Sequence, residues 1–128
     1  MNNFFGIGTD LVDIARIKKL ISKNKKFKNR IFSAQEIKLC ESKKNKIASY
    51  SKRFAAKEAF AKALGVGISM GISFNEISIS KNKDGAPFIE LLGKTKSIVN
   101  NLTKKKSKIY LSLSDEKKYA IAMVVISL

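Results

Sequence analysis

Histidine and tryptophan are absent from this chain, and it contains one cysteine, Cys40, and one proline, Pro87. Without histidine the chain cannot build a Ser-His-Asp triad, and a single cysteine cannot complete a zinc site or an intramolecular disulfide. Any chemistry must therefore use carboxylates, lysines, hydroxyls and backbone amides. A metal bound by such groups would be an oxygen-preferring ion such as magnesium. Cys40 is expected to be a small buried apolar residue.

Long apolar runs are missing as well. No run of 18 apolar residues occurs, which argues against a membrane-spanning helix. The first residues, MNNFFGIGTDLVDIARI, lack the basic region, continuous apolar core and cleavage site of a secretory signal. We therefore expect a soluble, cytoplasmic protein. A chain of 128 residues, 45% of them apolar, has the length of one domain, so we expect a single domain over residues 1–128.

Acidic residues are few, with ten against 26 basic residues and a net charge of +16. This balance favours an acidic or phosphate-bearing partner, and a nucleic-acid-binding module is one hypothesis. Against it, the aromatic residues do not alternate with the cations, and no recognition-helix or RNP motif occurs. Most of the cations are lysines, as in chains from AT-rich genomes. The arginines, Arg16, Arg30 and Arg53, are more informative, because a guanidinium makes bidentate contacts with carboxylate or phosphate.

Helical patterns follow a short strand in the first half of the chain. Residues 3–12 mix aromatic, glycine and β-branched types and predict the strand, and apolar residues recur at helical spacing from Asp13 onwards. The sequence SAQE, Ser33–Glu36, has the spacing of a capping box and predicts the start of a second helix. A third helix is predicted from about Ile47 to Leu64, with Gly65 as a left-handed C-cap residue.

Alternating patterns characterise the second half. The segment FNEISIS (74–80), a DG turn and APFIELLG (86–93) predict a hairpin. Residues 94–106 predict a helix, and residues 107–127 predict a closing hairpin. The fold class is therefore α+β, with a largely antiparallel sheet packed against a long central helix. The predicted core is Ile7, Ile14, Ile17, Phe54, Ile77, Ile79, Ile89, Leu91, Leu111, Leu113, Ile121 and Val124.

The carboxylate Glu58 lies within the alanine-rich segment RFAAKEAFAKALGVG, residues 53–67. Phe54, Glu58 and Lys62 are four residues apart and share one face of the third helix. A surface pair between Glu58 and Lys62, contributing ~0.2–0.5 kcal/mol, is the simpler explanation of the spacing alone. The surrounding alanines make a surface that backbone or ligand can approach closely, although tight helix packing would need them too.

Asp10 is the second carboxylate of interest. It ends an apolar strand, where an isolated charge would be costly unless it is paired or bound to a metal. An N-terminal cap for the following helix explains it equally well.

Four segments of the chain resemble the holo-acyl-carrier-protein synthases, the small phosphopantetheinyl transferases of bacterial fatty-acid synthesis. They are GIGTDLVDIARI, RFAAKEAFAKALGVG, DGAPF and YLSLSDEKKYAIAMVV, and together they span nearly the whole chain. The resemblance implies a magnesium-dependent reaction that moves the 4'-phosphopantetheine arm from coenzyme A to a serine of apo acyl carrier protein. The second product would be adenosine 3',5'-bisphosphate.

The same resemblance implies roles for individual residues. Asp10 and Glu58 would hold the magnesium ion against the pyrophosphate of coenzyme A, and Lys62 would reach the phosphates and help the proton leave. The coenzyme-binding residues would be Arg53, Lys62, Gly65, Gly67, Pro87 and Ser114.

Carrier protein would dock on Arg16, Lys26 and Phe27, which belong to the first helix and the following turn. Proteins that resemble this one are homotrimers with active sites between adjacent subunits, which would let a short chain enclose a coenzyme.

One position departs from the family, because the usual SH after the penultimate strand is here Ser114 followed by Asp115. Asp115, Glu116 or a metal-bound water would have to replace the imidazole, and a carboxylate is a weaker base. The general base is therefore left unassigned.

Overall fold

The computed structural model of the chain describes residues 3–65 and 70–128. The elements of this part of the chain are β1 (Phe4–Asp13), α1 (Ile14–Lys23), α2 (Phe27–Ile31), α3 (Ala34–Glu41), α4 (Lys46–Leu64), a 3₁₀ turn (Phe74–Glu76), β2 (Ile77–Lys81), β3 (Pro87–Leu91), α5 (Gly93–Thr103), β4 (Lys108–Asp115) and β5 (Tyr119–Ser127). The α+β class and both hairpins are confirmed. The five-residue helix α2 was not predicted, and it has no side-chain cap that the sequence could have revealed.

Two antiparallel sheets are formed by the described strands. The larger has the order β1-β5-β4, and the smaller pairs β2 with β3. In the larger sheet Asp10 lies opposite Ala122, and Asp13 lies opposite Tyr119. The strand β1 therefore continues three residues past Asp10, which lies inside the sheet and does not end the strand.

Helix α4 packs directly against β1 because small residues line both sides of the contact. A Cβ atom built on Gly6 would lie 1.8 Å from the carbonyl oxygen of Ala63, and one on Gly8 would lie 1.9 Å from that of Ala59. Only glycine fits at these two positions. The alanines of α4 thus serve tight backbone packing, which the sequence had offered as one of two explanations.

The hydrophobic core lies between α4, the inner faces of the sheets and the short helices. Of the predicted core residues, Ile17, Phe54, Ile77, Ile79 and Val124 are buried. The remaining correct predictions, Ile14, Ile89, Leu91, Leu111 and Leu113, are partly buried.

Two predicted core residues are wrong, since Ile7 is 55% exposed and Ile121 is 42% exposed. Side chains alternate along a strand, and the close contact of Gly6 and Gly8 with α4 turns Ile7 to the opposite face. Ile121 pairs with Leu11 on that same outer face.

The outer face of the larger sheet is apolar. Rows of residues paired in register bring its large side chains together. We call this surface the apolar sheet face, and its exposed members are Ile7, Leu11, Tyr110, Tyr119, Ile121 and Met123. Within residues 3–65 and 70–128, no helix combines the length and apolar character that crossing a membrane requires.

Candidate active site

Asp10 faces helix α4, because residues two apart on a strand share a face and Gly8 and Val12 both point inward. The Nζ atom of Lys62 lies 3.2 Å from Oδ1 of Asp10 and donates a second hydrogen bond, 3.0 Å long, to the carbonyl oxygen of Thr9. The side chain of Asp10 is 16% exposed, so its charge is largely shielded from water and is paired with an ammonium group. The alternative role of helix cap belongs to Asp13, whose side chain accepts from the backbone N–H of Ala15.

Glu58 lies one turn before Lys62 on α4 and is partly buried. Burial raises the pKa of Glu58 and the nearby Asp10 carboxylate raises it further, whereas Lys62 and Arg16 lower it. The two carboxylates are therefore close enough to repel one another. Among the described contacts Lys62 pairs with Asp10 and not with Glu58, so the simple surface pair that the spacing allowed is not formed.

Asp10 and Glu58 fit a magnesium ion as a two-carboxylate donor set. Magnesium usually takes one or two protein carboxylates and completes its shell with waters and substrate phosphates. A shared cation would also relieve the repulsion that raises the pKa of Glu58. Within the described part of the chain, no three His, Cys, Asp or Glu side chains gather into a metal site.

A cleft of about 540 Å³ opens beside Glu58. We call it the docking cleft, and it is lined by Arg16, Leu20, Phe27, Arg30, Ile31, Phe54, Glu58, Ile72, Ser73, Phe74 and Asn75. The Arg16 guanidinium carbon lies 5.9 Å from the centre of the Phe54 ring. The cleft thus combines an apolar floor, two arginines and one carboxylate.

The predicted docking residues are found in and beside this cleft. Arg16 and Phe27 line it, although Phe27 is 9% exposed and forms part of the floor. Lys26 is exposed at the start of α2, next to Phe27. Sequence reasoning missed the contributions of Arg30 and Phe74. The residue type of Arg30 marked it as a possible binding residue. No sequence feature marked Phe74, because its position in the cleft depends on the 3₁₀ turn.

Arg53 is buried between α4 and α3, where it is 2% exposed. Its Nη1 atom donates to the Oγ of Ser49 at 2.8 Å and to the Ser49 carbonyl at 3.3 Å. Its Nε and Nη2 atoms have no hydrogen-bond partner among the described residues. Unsatisfied donors on a buried guanidinium are costly.

Other cations surround Arg53. Burial lowers the pKa of Lys81, and the charges of Lys43, Lys52 and Arg53 lower it further. We call these four residues the basic cluster. At its edge the Lys52 ammonium lies 3.3 Å from Oδ1 of Asp115.

Of the remaining predicted coenzyme residues, Pro87 pairs with Lys81 across the smaller sheet. Ser114 pairs with Ile121 on the outer face of the larger sheet, where both line a small pocket with Leu11 and Tyr119. Gly65 is the left-handed C-cap of α4, with a φ of 81°, as predicted. Gly67 lies outside the described residues.

Among the described residues, no hydrogen bond or ion pair links Arg53 to Asp10, Glu58 or Lys62. Asp10, Glu58 and Lys62 lie where α4 meets β1, and Glu58 feels the charges of Asp10, Lys62 and Arg16. Arg53 instead contacts Ser49 beside α3 and belongs to the basic cluster. The residues whose charges shift the pKa of Glu58 are different from those whose charges shift the pKa of Lys81.

Comparison with known proteins identifies the class. The sequence model of the 4'-phosphopantetheinyl transferase superfamily matches residues 6–124. The chain belongs to this superfamily, and it is therefore a transferase.

More similar proteins narrow the assignment. A holo-[acyl-carrier-protein] synthase of Pelagibacter ubique is 45% identical over 94% of this chain and 94% of its own length. The crystal structure of the Neisseria meningitidis holo-[acyl-carrier-protein] synthase superposes with a TM-score of 0.86 at 35% identity, covering 98% of this chain and 99% of that one. The Helicobacter pylori enzyme, solved in complex with coenzyme A, gives a TM-score of 0.80 at 40% identity, covering 94% and 99%.

Proposed function

We propose that this chain transfers the 4'-phosphopantetheine group of coenzyme A to a serine hydroxyl of apo acyl carrier protein, with magnesium, and releases adenosine 3',5'-bisphosphate. The observation that carries the proposal is the pairing of Asp10 with Lys62 near Glu58, which lines the docking cleft. The relatives' printed names and the coenzyme A bound to the Helicobacter pylori enzyme support it.

The reaction breaks the bond between the pantetheine-bearing phosphorus and the oxygen that bridges the pyrophosphate. The serine oxygen forms a new bond to that phosphorus, its proton is lost, and adenosine 3',5'-bisphosphate leaves with the bridging oxygen. Phosphoryl transfer asks a protein chiefly for positioning and charge stabilisation. Magnesium, when bound, would neutralise the pyrophosphate and act as a Lewis acid.

The chain's own residues supply the positioning. Asp10 and Glu58 would orient the ion, and the half-exposed Lys62, held by Asp10 and the Thr9 carbonyl, would place its ammonium beside the phosphates. Asp115 is paired with Lys52 of the basic cluster. It would act as a base at a site shared with another copy.

The docking cleft fits the acidic acyl carrier protein. Arg16 and Arg30 line its rim and Lys26 is exposed nearby, while Phe27 and Phe54 offer an apolar floor. Complementary charge accelerates encounter and sets orientation, and buried aromatic residues provide anchoring. A carrier serine delivered here would approach the Glu58 end of the cleft.

The basic cluster fits the phosphates of coenzyme A. The exposed Lys43 and Lys81 supply charged donors, and the buried guanidinium of Arg53 adds positive potential. Pro87 pairs with Lys81 of this cluster, consistent with its proposed coenzyme contact, whereas Ser114 would reach the coenzyme from the apolar sheet face.

The apolar sheet face supports a homotrimer with active sites between adjacent subunits. The apolar sheet face leaves Ile7, Leu11 and Met123 48% or more exposed, and such a surface marks an interface. A cyclic trimer would cover it with copies of the same chain. It would also bring the basic cluster of one copy to the carboxylates of the next.

Intact-mass measurement tests the proposed function. Incubation of the chain with apo acyl carrier protein, coenzyme A and magnesium should add about 340 Da to the carrier, the mass of one arm transferred covalently. No mass shift would refute the enzyme assignment. Tight, salt-sensitive binding to DNA or RNA without transfer would favour the nucleic-acid-binding alternative.

A further inference from the structure

A fully buried ion pair joins Lys57 of α4 to Glu36 of α3. The Nζ of Lys57 lies 2.6 Å from Oε1 of Glu36, and both side chains are 0% exposed. The same ammonium donates to the carbonyl oxygen of Phe74 at 2.9 Å and to that of Ile77. All three of its N–H donors are therefore used. The pair lies outside the catalytic groups described above.

The other contacts of Glu36 extend this network to β2. Its Oε1 accepts from the backbone N–H of Ser33 at 2.9 Å, which completes the capping box of α3. Its Oε2 accepts from the backbone N–H of Ile79 at 3.1 Å. The Ser33 hydroxyl also lies 2.7 Å from that of Ser78. One buried pair thus ties together α3, α4, the 3₁₀ turn and β2.

The network connects two parts of the candidate active site. Lys57 immediately precedes Glu58 on α4, and Phe74 belongs to the wall of the docking cleft. The Phe74 ring packs edge-on against Phe54 at 6.3 Å, and Phe54 lies one turn before Glu58. The backbone of the wall is therefore attached to the helix that carries the carboxylate.

Stability alone does not explain a charged pair at this place. Apolar residues of similar volume often replace a buried ion pair with no loss of stability. They cannot hold the carbonyl groups of Phe74 and Ile77, which need a donor. The distinctive effect of Lys57 is thus to fix where these two carbonyls lie relative to α4.

We propose that Lys57, oriented by Glu36, is a positioning residue that holds the Phe74 and Ile77 carbonyls and thereby sets the distance between the wall of the docking cleft at Phe74 and Glu58. This inference rests on the proposed function, because it assigns the cleft to the acyl carrier protein. A displaced wall would seat the carrier serine away from the reacting phosphorus, and small displacements of this kind are costly to rate. Coenzyme binding at the basic cluster would change less, because Lys81 lies at the end of β2 away from Ile77.

The double variant Lys57→Met/Glu36→Leu tests this inference, because it removes both charges together. Hydrogen exchange of the Ser73, Glu76 and Ile77 amides should accelerate about tenfold or more, while the amides of β1 and β5 stay protected. The kcat/KM for carrier protein should fall about 100-fold, with the KM for coenzyme A changed less than twofold. The exposed Lys96→Met is the matched control and should behave as the wild type.

Each outcome decides the question. Unchanged exchange in the wall would overturn the inference whatever the activity, and so would faster exchange with an unchanged kcat/KM for carrier protein. If the double variant does not fold, Glu36→Gln removes only the counter-charge and should give smaller changes of the same sign; its failure to do so would also overturn the inference. A wild-type chain without transfer would refute the proposed function, while exchange would still show whether the pair holds the wall.

Discussion

The ammonium of Lys62 lies 3.2 Å from the carboxylate of Asp10, across the contact between α4 and β1. This pair forms at the place where Gly8 meets the backbone of Ala59 with no room for a Cβ atom. The position of the strand carboxylate relative to the helix therefore depends on close backbone packing. Fold and site geometry are set by the same contact.

Gly8→Ala tests that dependence. The added Cβ would collide with the Ala59 carbonyl oxygen, 1.9 Å away, so α4 must move from β1. We expect a loss of about 1–3 kcal/mol in the free energy of unfolding, measured by urea denaturation, together with reduced transfer. Ser97→Ala, at an exposed position of α5, is the control. Wild-type stability in Gly8→Ala would show that the contact between α4 and β1 can accommodate a Cβ atom, and would contradict this account.

Charge removal around Glu58 should shift its titration in opposite directions. Since the Asp10 carboxylate raises the pKa of Glu58 and Lys62 lowers it, Asp10→Asn should lower that pKa and Lys62→Met should raise it. Carboxyl carbon NMR titration of the metal-free protein measures both. Shifts of the same sign in the two variants would contradict the proximity of these groups.

The same titration predicts a pH dependence of stability. A carboxyl whose pKa is raised by folding stabilises the folded state fully below its unfolded pKa, near 4.3, and this contribution is lost as pH rises through the folded pKa. In metal-free protein the contribution of Glu58 to the Tm should therefore decline as pH rises from the unfolded pKa to the raised folded pKa. Glu58→Gln should remove this decline. An identical profile in wild type and Glu58→Gln would contradict this account.

Arg16→Glu should weaken carrier docking selectively. Arg16 lines the docking cleft and contacts the face of Phe54, so charge reversal should raise the KM for carrier protein about tenfold or more, as loss of one charge-assisted contact does. The KM for coenzyme A should change little, and Lys96→Glu on α5 serves as the control. Equal effects on both substrates would contradict the docking surface.

Mixing two inactive variants tests the site shared between subunits. Glu58→Gln damages the carboxylate half and Arg53→Met the basic cluster, so hybrid trimers should contain some sites with both halves intact. Random assortment of equal amounts predicts recovery of about a quarter of wild-type activity. Ile121→Asp, in the apolar sheet face, should prevent assembly and recovery. No recovery despite mixed assembly would place the whole site within one chain.

Local sequence signals predicted much of the fold. The Ser33–Glu36 capping box, the end of α4 at Gly65 and both hairpins were correctly predicted, because each depends on neighbouring residues. Ile7 and Ile121 were assigned to the core wrongly, since alternation gives two faces and only the contact of the glycines with α4 decides which is buried.

The site was predicted unevenly for the same reason. The shared face of Glu58 and Lys62 followed from helical spacing, but pairing of Lys62 with Asp10 depends on the packing of distant segments. Residue type drew attention to Arg53, and its burial with two unsatisfied nitrogens could come only from the structure. The Lys57–Glu36 pair likewise joins residues 21 positions apart.

The central claim is that Asp10 and Glu58 together serve the transfer. The most direct measurement is the rate of phosphopantetheine addition to apo acyl carrier protein, followed by intact mass across a magnesium titration for wild type, Asp10→Asn and Glu58→Gln. The account predicts magnesium-dependent addition by the wild type and roughly 10²- to 10³-fold slower addition by each folded variant. Near-wild-type rates in either variant, or wild-type transfer that persists in excess chelator, would contradict it.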